Sequence, residues 1–199
     1  MIPLDPKFVI KPTMKHSIKD ELQGVGIFIG MIWLVFLVDW VLATDLRNWG
    51  VAPRSLWGLA GIFTMPFLHG NWQHLVGNTV PLVVLLSLLA GSRANSAGIV
   101  LTLTVIGGAL LWVIGPGASV HIGASGLIYG LITFLITAGI TERRPMALTV
   151  AVIVGILYGT TLFGGILPFT VNEGVSWQGH LTGAIAGVLL GHFAVKPAK

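Results

Sequence analysis

Six long apolar runs fill most of this chain, and they constrain its fold more than any other feature. Each run holds about 17–22 residues, enough for a helix to cross a hydrocarbon core of roughly 30 Å. Only 9% of the 199 residues are charged, whereas about a quarter are charged in a soluble domain. The sequence therefore predicts an all-α integral membrane protein with six transmembrane helices. We assign the predicted spans to residues 24–43, 72–90, 96–114, 122–140, 146–164 and 177–195.

The lysines and arginines predict the direction in which the helices cross. With the N-terminus in the cytoplasm, nine of the eleven basic residues fall on the cytoplasmic side, and only Arg47 and Arg54 fall outside. Cytoplasmic loops of membrane proteins carry an excess of Lys and Arg, so both termini are predicted to be cytoplasmic. We divide the chain into an N-terminal tail at 1–23, a six-helix core at 24–195 and a C-terminal tail at 196–199.

Composition and charge placement exclude several classes of function. The net charge of +4 comes from residues at helix ends rather than from a basic stripe with aromatics, so nucleic acid is not an expected partner. The chain has no cysteine, which excludes disulfides, thiolate catalysis and cysteine-based zinc sites. A small transporter is disfavoured, because it would be expected to carry intramembrane charge or paired helices broken at the bilayer midplane.

A serine and a histidine lie at matching depths in two of the apolar runs. Ser125 follows Gly123 and Ala124 near the start of the fourth run, and His180 lies in the first turn of the sixth. In the predicted topology both runs start at the outer face, so both side chains lie a few residues below it. Polar groups inside hydrocarbon are costly unless they have a function. A nucleophile and its base need this pair of groups, so we predict a serine protease within the bilayer.

Small residues at intervals of four explain how the two helices come together. The spacing is found at Gly126 and Gly130 in the fourth run, and at Gly183 and Gly187 in the sixth. Such spacing leaves a groove without side chains, in which helix backbones approach closely in lipid. Facing one another, these glycines would bring Ser125 within hydrogen-bond reach of His180. Ordinary helix packing produces the same pattern, so the glycines favour a site only because they flank this serine and histidine.

Three further polar or aromatic side chains fit the same chemistry. His74 and Asn78 are four residues apart, so both project from one face at the outer end of the second run. Their N–H groups and the backbone N–H of Ser125 are the kind of donors that hold the oxyanion in acyl transfer. Tyr129 lies one turn after Ser125, where its ring is suited to stack on His180. No acid stands near either residue in sequence, so a two-residue dyad is expected.

The histidines also allow a metal-binding interpretation. A site built from His69, His74, His121 and His180 is the competing hypothesis. It is weaker, because the spacing of the first two does not suit one helical face and no carboxylate or cysteine completes the ligand set. We therefore expect neither a metal nor another cofactor. Two acids are given structural roles: Asp39 is expected to bond the first loop, and Glu142 to lie in a solvated cytoplasmic turn.

Three motifs together resemble those of the rhomboid intramembrane serine proteases. They are His-Gly-Asn-Trp-x-His-Leu-x-x-Asn at 69–78, Gly-Ala-Ser-Gly with Tyr129 at 123–129, and Gly-His-Leu-Thr-Gly-Ala-Ile-Ala-Gly at 179–187. They agree in order and in side of the membrane, and Gly123 matches the first glycine of the family's serine motif. The resemblance covers the six-helix core and implies a rhomboid-like bundle.

The resemblance also implies a role for each matching residue. Ser125 corresponds to the family nucleophile and His180 to its general base, without a cofactor. His74 and Asn78 correspond to the oxyanion donors, and Tyr129 to the ring that packs on the histidine. The implied activity is peptide-bond hydrolysis in transmembrane helices of substrate proteins near the outer interface. The expected partners are those substrates and the lipid bilayer. The compact core favours a bacterial or archaeal cell membrane.

The sequence departs from the family pattern in the first loop. Rhomboids often carry a Trp-Arg pair about nine residues before the position of His69, where this chain has Ala60-Gly61. The departure concerns the conformation of the loop rather than the chemistry. A catalytically silent relative that binds transmembrane segments without cutting them remains the alternative function. We further predict that the fifth run and the loop at 165–176 form a lateral gate and cap.

Overall fold

The computed structural model describes residues 16–171 and 174–197. This part of the chain forms seven α-helices joined by loops, and it contains no β-strand, only an isolated bridge between Val51 and His121. The helices are α1 (Ile18–Leu42), α2 (Gly61–Thr64), α3 (Trp72–Ser92), α4 (Ser96–Ile114), α5 (Ser125–Glu142), α6 (Pro145–Ile166) and α7 (Trp177–Phe193). Short 3₁₀ turns in the first loop cover Leu46–Trp49, Trp57–Leu59 and Met65–Phe67.

Five of the helices are long and apolar enough to cross a membrane, namely α1, α3, α4, α5 and α6. The all-helical class is therefore as predicted. Helix α7 has 17 residues, which at 1.5 Å per residue gives a length of about 25 Å. The sixth crossing remains a prediction, as does the cytoplasmic side of the termini.

Local chemistry explains where the helices begin. Ser17 caps α1 by accepting the backbone N–H of Asp20 at 3.4 Å, so this helix starts before the predicted span at residue 24. Asn71 caps α3 by accepting the N–H of His74 at 2.8 Å. Helix α5 begins later than the predicted residue 122, because Gly123 has φ +106° and breaks the helical backbone two residues before the first turn.

Helix α5 is the central element of the bundle. In α5 67% of the residues are buried, compared with 11% of the most apolar 18-residue stretch of α1, which lies at the periphery. Helix α7 packs against α5 backbone to backbone. A side chain on Gly183 would overlap the carbonyl of Gly126, and one on Gly187 would overlap that of Gly130. The four glycines therefore lie at one interface, which aligns the first turns of α5 and α7.

Hydrogen bonds connect the first loop to α1 and to the end of α4. Asp39 in α1 accepts the backbone N–H of Leu46 at 2.7 Å, in agreement with the expected bond to this loop. Arg54 donates through Nη1 to the carbonyls of Val113 and Gly115 at 3.0 and 2.7 Å, at the carboxyl end of α4. In this chain Arg54, rather than a residue at Ala60-Gly61, fastens the loop.

A second polar network lies at the opposite end of the bundle. Glu142 pairs with Arg93 at 2.7 Å and with Arg144 at 2.8 Å, and it is 8% exposed. The prediction that Glu142 belongs to a solvated turn is therefore wrong. Arg93, the buried partner of the two, lies 49 residues away in the loop between α3 and α4. Pairing makes burial of the carboxylate tolerable. Glu21 similarly caps α4 by accepting the N–H groups of Asn95 and Ser96.

Candidate active site

The predicted site residues meet at one end of the bundle. Ser125 is the first residue of α5 and His180 lies in the first turn of α7. A Cβ atom added to Gly126 would lie 3.1 Å from the carbonyl oxygen of Gly179. The residue after the serine therefore lies against the residue before the histidine, so the backbone segments that carry Ser125 and His180 are adjacent.

The turn before Ser125 lies directly against the start of α3. A Cβ atom at Gly123 would overlap Nε2 of His74 and lie 3.6 Å from Nδ2 of Asn78. The backbone N–H of Gly123 donates to the carbonyl of Met65 at 3.0 Å, which fixes the turn to the first loop. Only glycine combines this φ with this proximity, so His74 and Asn78 are brought beside the backbone that leads to Ser125.

The imidazole of His180 is held on two sides. Its Nδ1 lies 2.9 Å from the carbonyl oxygen of Gly165, at the end of α6. A carbonyl can only accept, so Nδ1 carries the proton and donates it. In the neutral ring Nε2 is then left with its lone pair free. Tyr129 stacks on the ring with centroids 4.1 Å apart and planes 6° from parallel, and its hydroxyl donates to the carbonyl of Thr161 at 2.9 Å.

Gly165 is the site residue that sequence reasoning missed. A Cβ atom there would overlap the hydroxyl and ring of Tyr129, whereas one on Gly164 would meet nothing within 4 Å. A backbone carbonyl leaves no trace in a sequence, so no motif could reveal this bond. The only sequence signal is the pair of glycines near the end of the fifth apolar run.

Two polar groups of the candidate site, the Ser125 hydroxyl and the Asn78 amide, lack a bond that the proposed chemistry would use. Within the described residues, the hydrogen bonds of His180 do not include Ser125 Oγ. Nδ2 of Asn78 is buried and unpaired there. The ring of His69 packs edge-on against that of His74, with the ring centroids 4.9 Å apart. Burial, and then the nearby His74, lower the pKa of His69 to about 4. A buried unpaired donor costs free energy, so the amide of Asn78 is available for a ligand.

The histidines do not assemble as a metal site. In residues 16–171 and 174–197, no three His, Asp or Glu side chains are grouped so that they could hold a metal ion. His121 bonds Ser119 and Ser176, and His180 is engaged by Gly165. The rings of His121 and His180 are thus hydrogen-bonded to different groups of the protein.

Comparison with known proteins assigns the family. Residues 53–197 match the family model of the Rhomboid domain. This chain belongs to the rhomboid family. The resemblance indicated by the three motifs is thereby confirmed. Together with the five membrane-length helices, membership identifies this rhomboid as an integral, multi-pass membrane protein.

Relatives of this rhomboid occur in bacteria and in eukaryotes. An uncharacterised protein of Mycobacterium tuberculosis is 38% identical over 180 residues, covering 86% of this chain and 74% of that protein. The chloroplastic rhomboid-like protein 11 of Arabidopsis thaliana is 30% identical over 209 residues, covering 94% and 71%. Rhomboid-like protease 5 of Toxoplasma gondii is 29% identical over 156 residues, covering 76% of this chain and 17% of that protein.

Proposed function

We propose that this rhomboid is an intramembrane serine endopeptidase that uses Ser125 and His180 as a catalytic dyad. The observation that carries the proposal is the bond from His180 Nδ1 to the Gly165 carbonyl. It leaves Nε2 as a free base at the start of α7, beside the first residue of α5. The test is reconstitution into liposomes with model transmembrane segments. Cleavage near one end of a segment supports the proposal. If all the model segments remain uncleaved, the proposal is contradicted.

The mechanism follows from these positions. His180 Nε2 takes the proton of Ser125 as Oγ attacks the carbonyl carbon of the scissile peptide. When the C–N bond breaks, the imidazolium returns that proton to the leaving amine, and water then hydrolyses the acyl-enzyme. The Gly165 carbonyl accepts from Nδ1 throughout and stabilises the imidazolium, a role that an aspartate has in a three-residue triad. Tyr129 keeps the ring in the plane that this bond requires.

Asn78 is proposed as an oxyanion donor together with His74 and the backbone N–H of Ser125. Its buried amide nitrogen has no partner within the described residues. We expect Asn78→Ala to lower kcat by about 10²–10³-fold, the effect of losing one such donor in the transition state. KM should change little. Steady-state kinetics with a transmembrane substrate measure both constants, and a loss confined to KM would contradict this role.

Gly165 is proposed to position the base. We expect Gly165→Ala to lower kcat by about 10²-fold, because a displacement of about 1 Å in a catalytic group has this effect. The added methyl group would push Tyr129 away from its stack on His180. Gly164→Ala is the matched control, since a side chain there meets nothing within 4 Å. Equal activities of the two variants in the cleavage assay would refute the role of Gly165.

We propose that α7 is a sixth transmembrane helix and that both termini are cytoplasmic. The core would then extend over residues 24–195, between tails at 1–23 and 196–199. The candidate site lies at the end of the bundle opposite the Arg93–Glu142 pair, as expected for a site near the outer face. The chain has no cysteine, so single cysteines report sidedness without background. In intact cells an impermeant maleimide should label Ala118→Cys but not Ala194→Cys, and the reverse pattern would overturn this topology.

We propose that the membrane is that of a bacterial or archaeal cell, and that the substrates are transmembrane proteins. The mycobacterial relatives support the bacterial assignment. Substrate would enter by lateral movement of α6, on which Leu157 and Phe163 are exposed while Tyr158 and Leu162 pack towards the core. A helical substrate must unwind before its carbonyls become accessible. Cleavage that persists after α6 is crosslinked to α3 would contradict the gate.

One observation favours a second function. Ser125 Oγ is not hydrogen-bonded to His180 within the described residues, which suits a silent rhomboid that binds transmembrane segments without cutting them. Catalytic hydrogen bonds are often long before substrate binds, so we rank this function second. Binding of a transmembrane segment without cleavage, and without covalent reaction at Ser125, would favour it.

A further inference from the structure

A chain of hydrogen bonds runs through His121, outside the proposed dyad. Its Nε2 lies 2.9 Å from Ser119 Oγ, and its Nδ1 lies 2.7 Å from Ser176 Oγ. Ser119 Oγ also donates to the carbonyl of Pro116 at 2.8 Å. Ser176 Oγ accepts the backbone N–H of Gly179 at 3.0 Å and thereby caps α7. His121 is 6% exposed, and both of its ring nitrogens are hydrogen-bonded to side chains of the protein.

These bonds are consistent with a single neutral tautomer. Ser119 gives its hydroxyl proton to Pro116, so it can only accept from His121, and Nε2 must carry the ring proton. Nδ1 is then an acceptor for the hydroxyl of Ser176. That hydroxyl in turn uses its oxygen for the α7 cap, and every donor and acceptor of the imidazole is satisfied. Burial lowers the pKa of His121, in keeping with a neutral ring.

We call the hydrogen bond between His121 and Ser176 the bridge. Its two ends lie at equivalent positions before the two proposed catalytic residues. His121 precedes Ser125 by four residues, and Ser176 precedes His180 by four. The backbone of His121 is itself fixed, because it exchanges two hydrogen bonds of 2.9 Å with Val51 in the first loop. The bridge therefore joins the segment leading into α5 to the cap of α7, at the ends from which the serine and histidine project.

We propose that His121 is a positioning residue that sets the separation of Ser125 and His180 through its hydrogen bond to Ser176. This inference rests on the proposed protease function. His121 contacts neither reacting atom, and its effect passes through the first turn of α7. Without the bridge, the α7 cap still forms, but the turn before Ser125 and the cap are no longer joined by a side chain.

Variants of Ser176 separate the bridge from the helix cap. Asparagine still accepts the N–H of Gly179 as a cap but has no hydroxyl to donate to Nδ1 in the same geometry. We expect Ser176→Asn to keep the thermal stability while kcat falls by about 10–10²-fold, with KM nearly unchanged. Ser176→Thr retains the hydroxyl and should restore most of kcat. His121→Phe should lower kcat similarly, and His121→Phe with Ser176→Asn should be no worse than either alone.

Kinetics and spectroscopy distinguish failure of this inference from failure of the proposed function. A Ser176→Asn variant with the wild-type kcat, or additive losses in the double variant, would overturn the positioning role. The ¹⁵N spectrum of His121 in lipid reports its tautomer without any need for activity. We expect protonated Nε2 and unprotonated Nδ1, and the opposite tautomer would refute the bridge. A wild-type protein that shows this tautomer but cleaves nothing would refute the protease function instead.

Discussion

Replacing either Ser125 or His180 with alanine is expected to abolish cleavage of transmembrane substrates, with losses of at least about 10⁴-fold in kcat. Without the serine no acyl-enzyme forms, and without the imidazole the hydroxyl keeps its proton. The two groups act as one unit, so the double variant should be no less active than either single variant. Cleavage rates in liposomes, measured at saturating substrate, give the comparison.

Matched controls for this prediction lie at the other end of the bundle. Among the described residues, the Ser92 hydroxyl donates to carbonyls of its own helix, at Leu88 and Leu89. His192 is exposed in the last turn of α7. Ser92→Ala and His192→Ala should keep wild-type rates. Thermal unfolding of each variant shows whether its fold is intact. A folded Ser125→Ala variant that still cleaves at more than about a hundredth of the wild-type rate would exclude the dyad, since only uncatalysed or oxyanion-assisted reaction should remain.

Replacing Gly183 with alanine is expected to damage both the fold and the activity. The new methyl group would overlap the backbone carbonyl of Gly126. This carbonyl cannot shift without moving the central helix itself. Helices α5 and α7 must separate, at a cost of about 1–3 kcal/mol in the free energy of unfolding. Because the two helices carry Ser125 and His180, cleavage should fall by about 10²-fold in the protein that remains folded.

Gly91→Ala is the matched control for Gly183. Gly91 also lies within a helix, α3, but a side chain there meets nothing within 4 Å. The Gly91→Ala variant should have a free energy of unfolding equal to or slightly above that of the wild type, because alanine favours helices by about 0.5–1 kcal/mol over glycine. Unfolding of both variants in the same lipid–detergent mixture measures the difference. Equal stability of Gly183→Ala and Gly91→Ala would show that the packing of α7 on α5 does not depend on the close contact between Gly183 and Gly126.

The sequence predicted the features that repeat or that lie close together along the chain. Apolar runs identified the membrane-length helices, and the motifs at 69–78, 123–129 and 179–187 identified the family. Helix ends were less accurate where one residue overrides a pattern. Ser17 lengthens α1 by capping it, and the positive φ of Gly123 delays the start of α5.

Long-range contacts outside the three motifs, and contacts made by backbone groups, could not be predicted. The burial of Glu142 depends on Arg93, and the cap of α7 involves His121, 55 residues before Ser176. No periodicity connects such pairs. The carbonyl of Gly165 is shared by every residue type, so its bond to His180 became visible only in three dimensions. The stack of Tyr129 on His180 was thus predicted from the sequence, whereas the backbone carbonyl that holds the other side of the imidazole was not.

Covalent labelling with a fluorophosphonate probe tests the central claim most directly, because it requires no knowledge of the substrate. The protein in lipid should form one adduct, and peptide mapping by mass spectrometry should locate it at Ser125. The adduct should be absent from Ser125→Ala and from His180→Ala. A folded wild-type protein that forms no adduct, or a His180→Ala variant that is labelled as fast as the wild type, would contradict a serine nucleophile activated by His180.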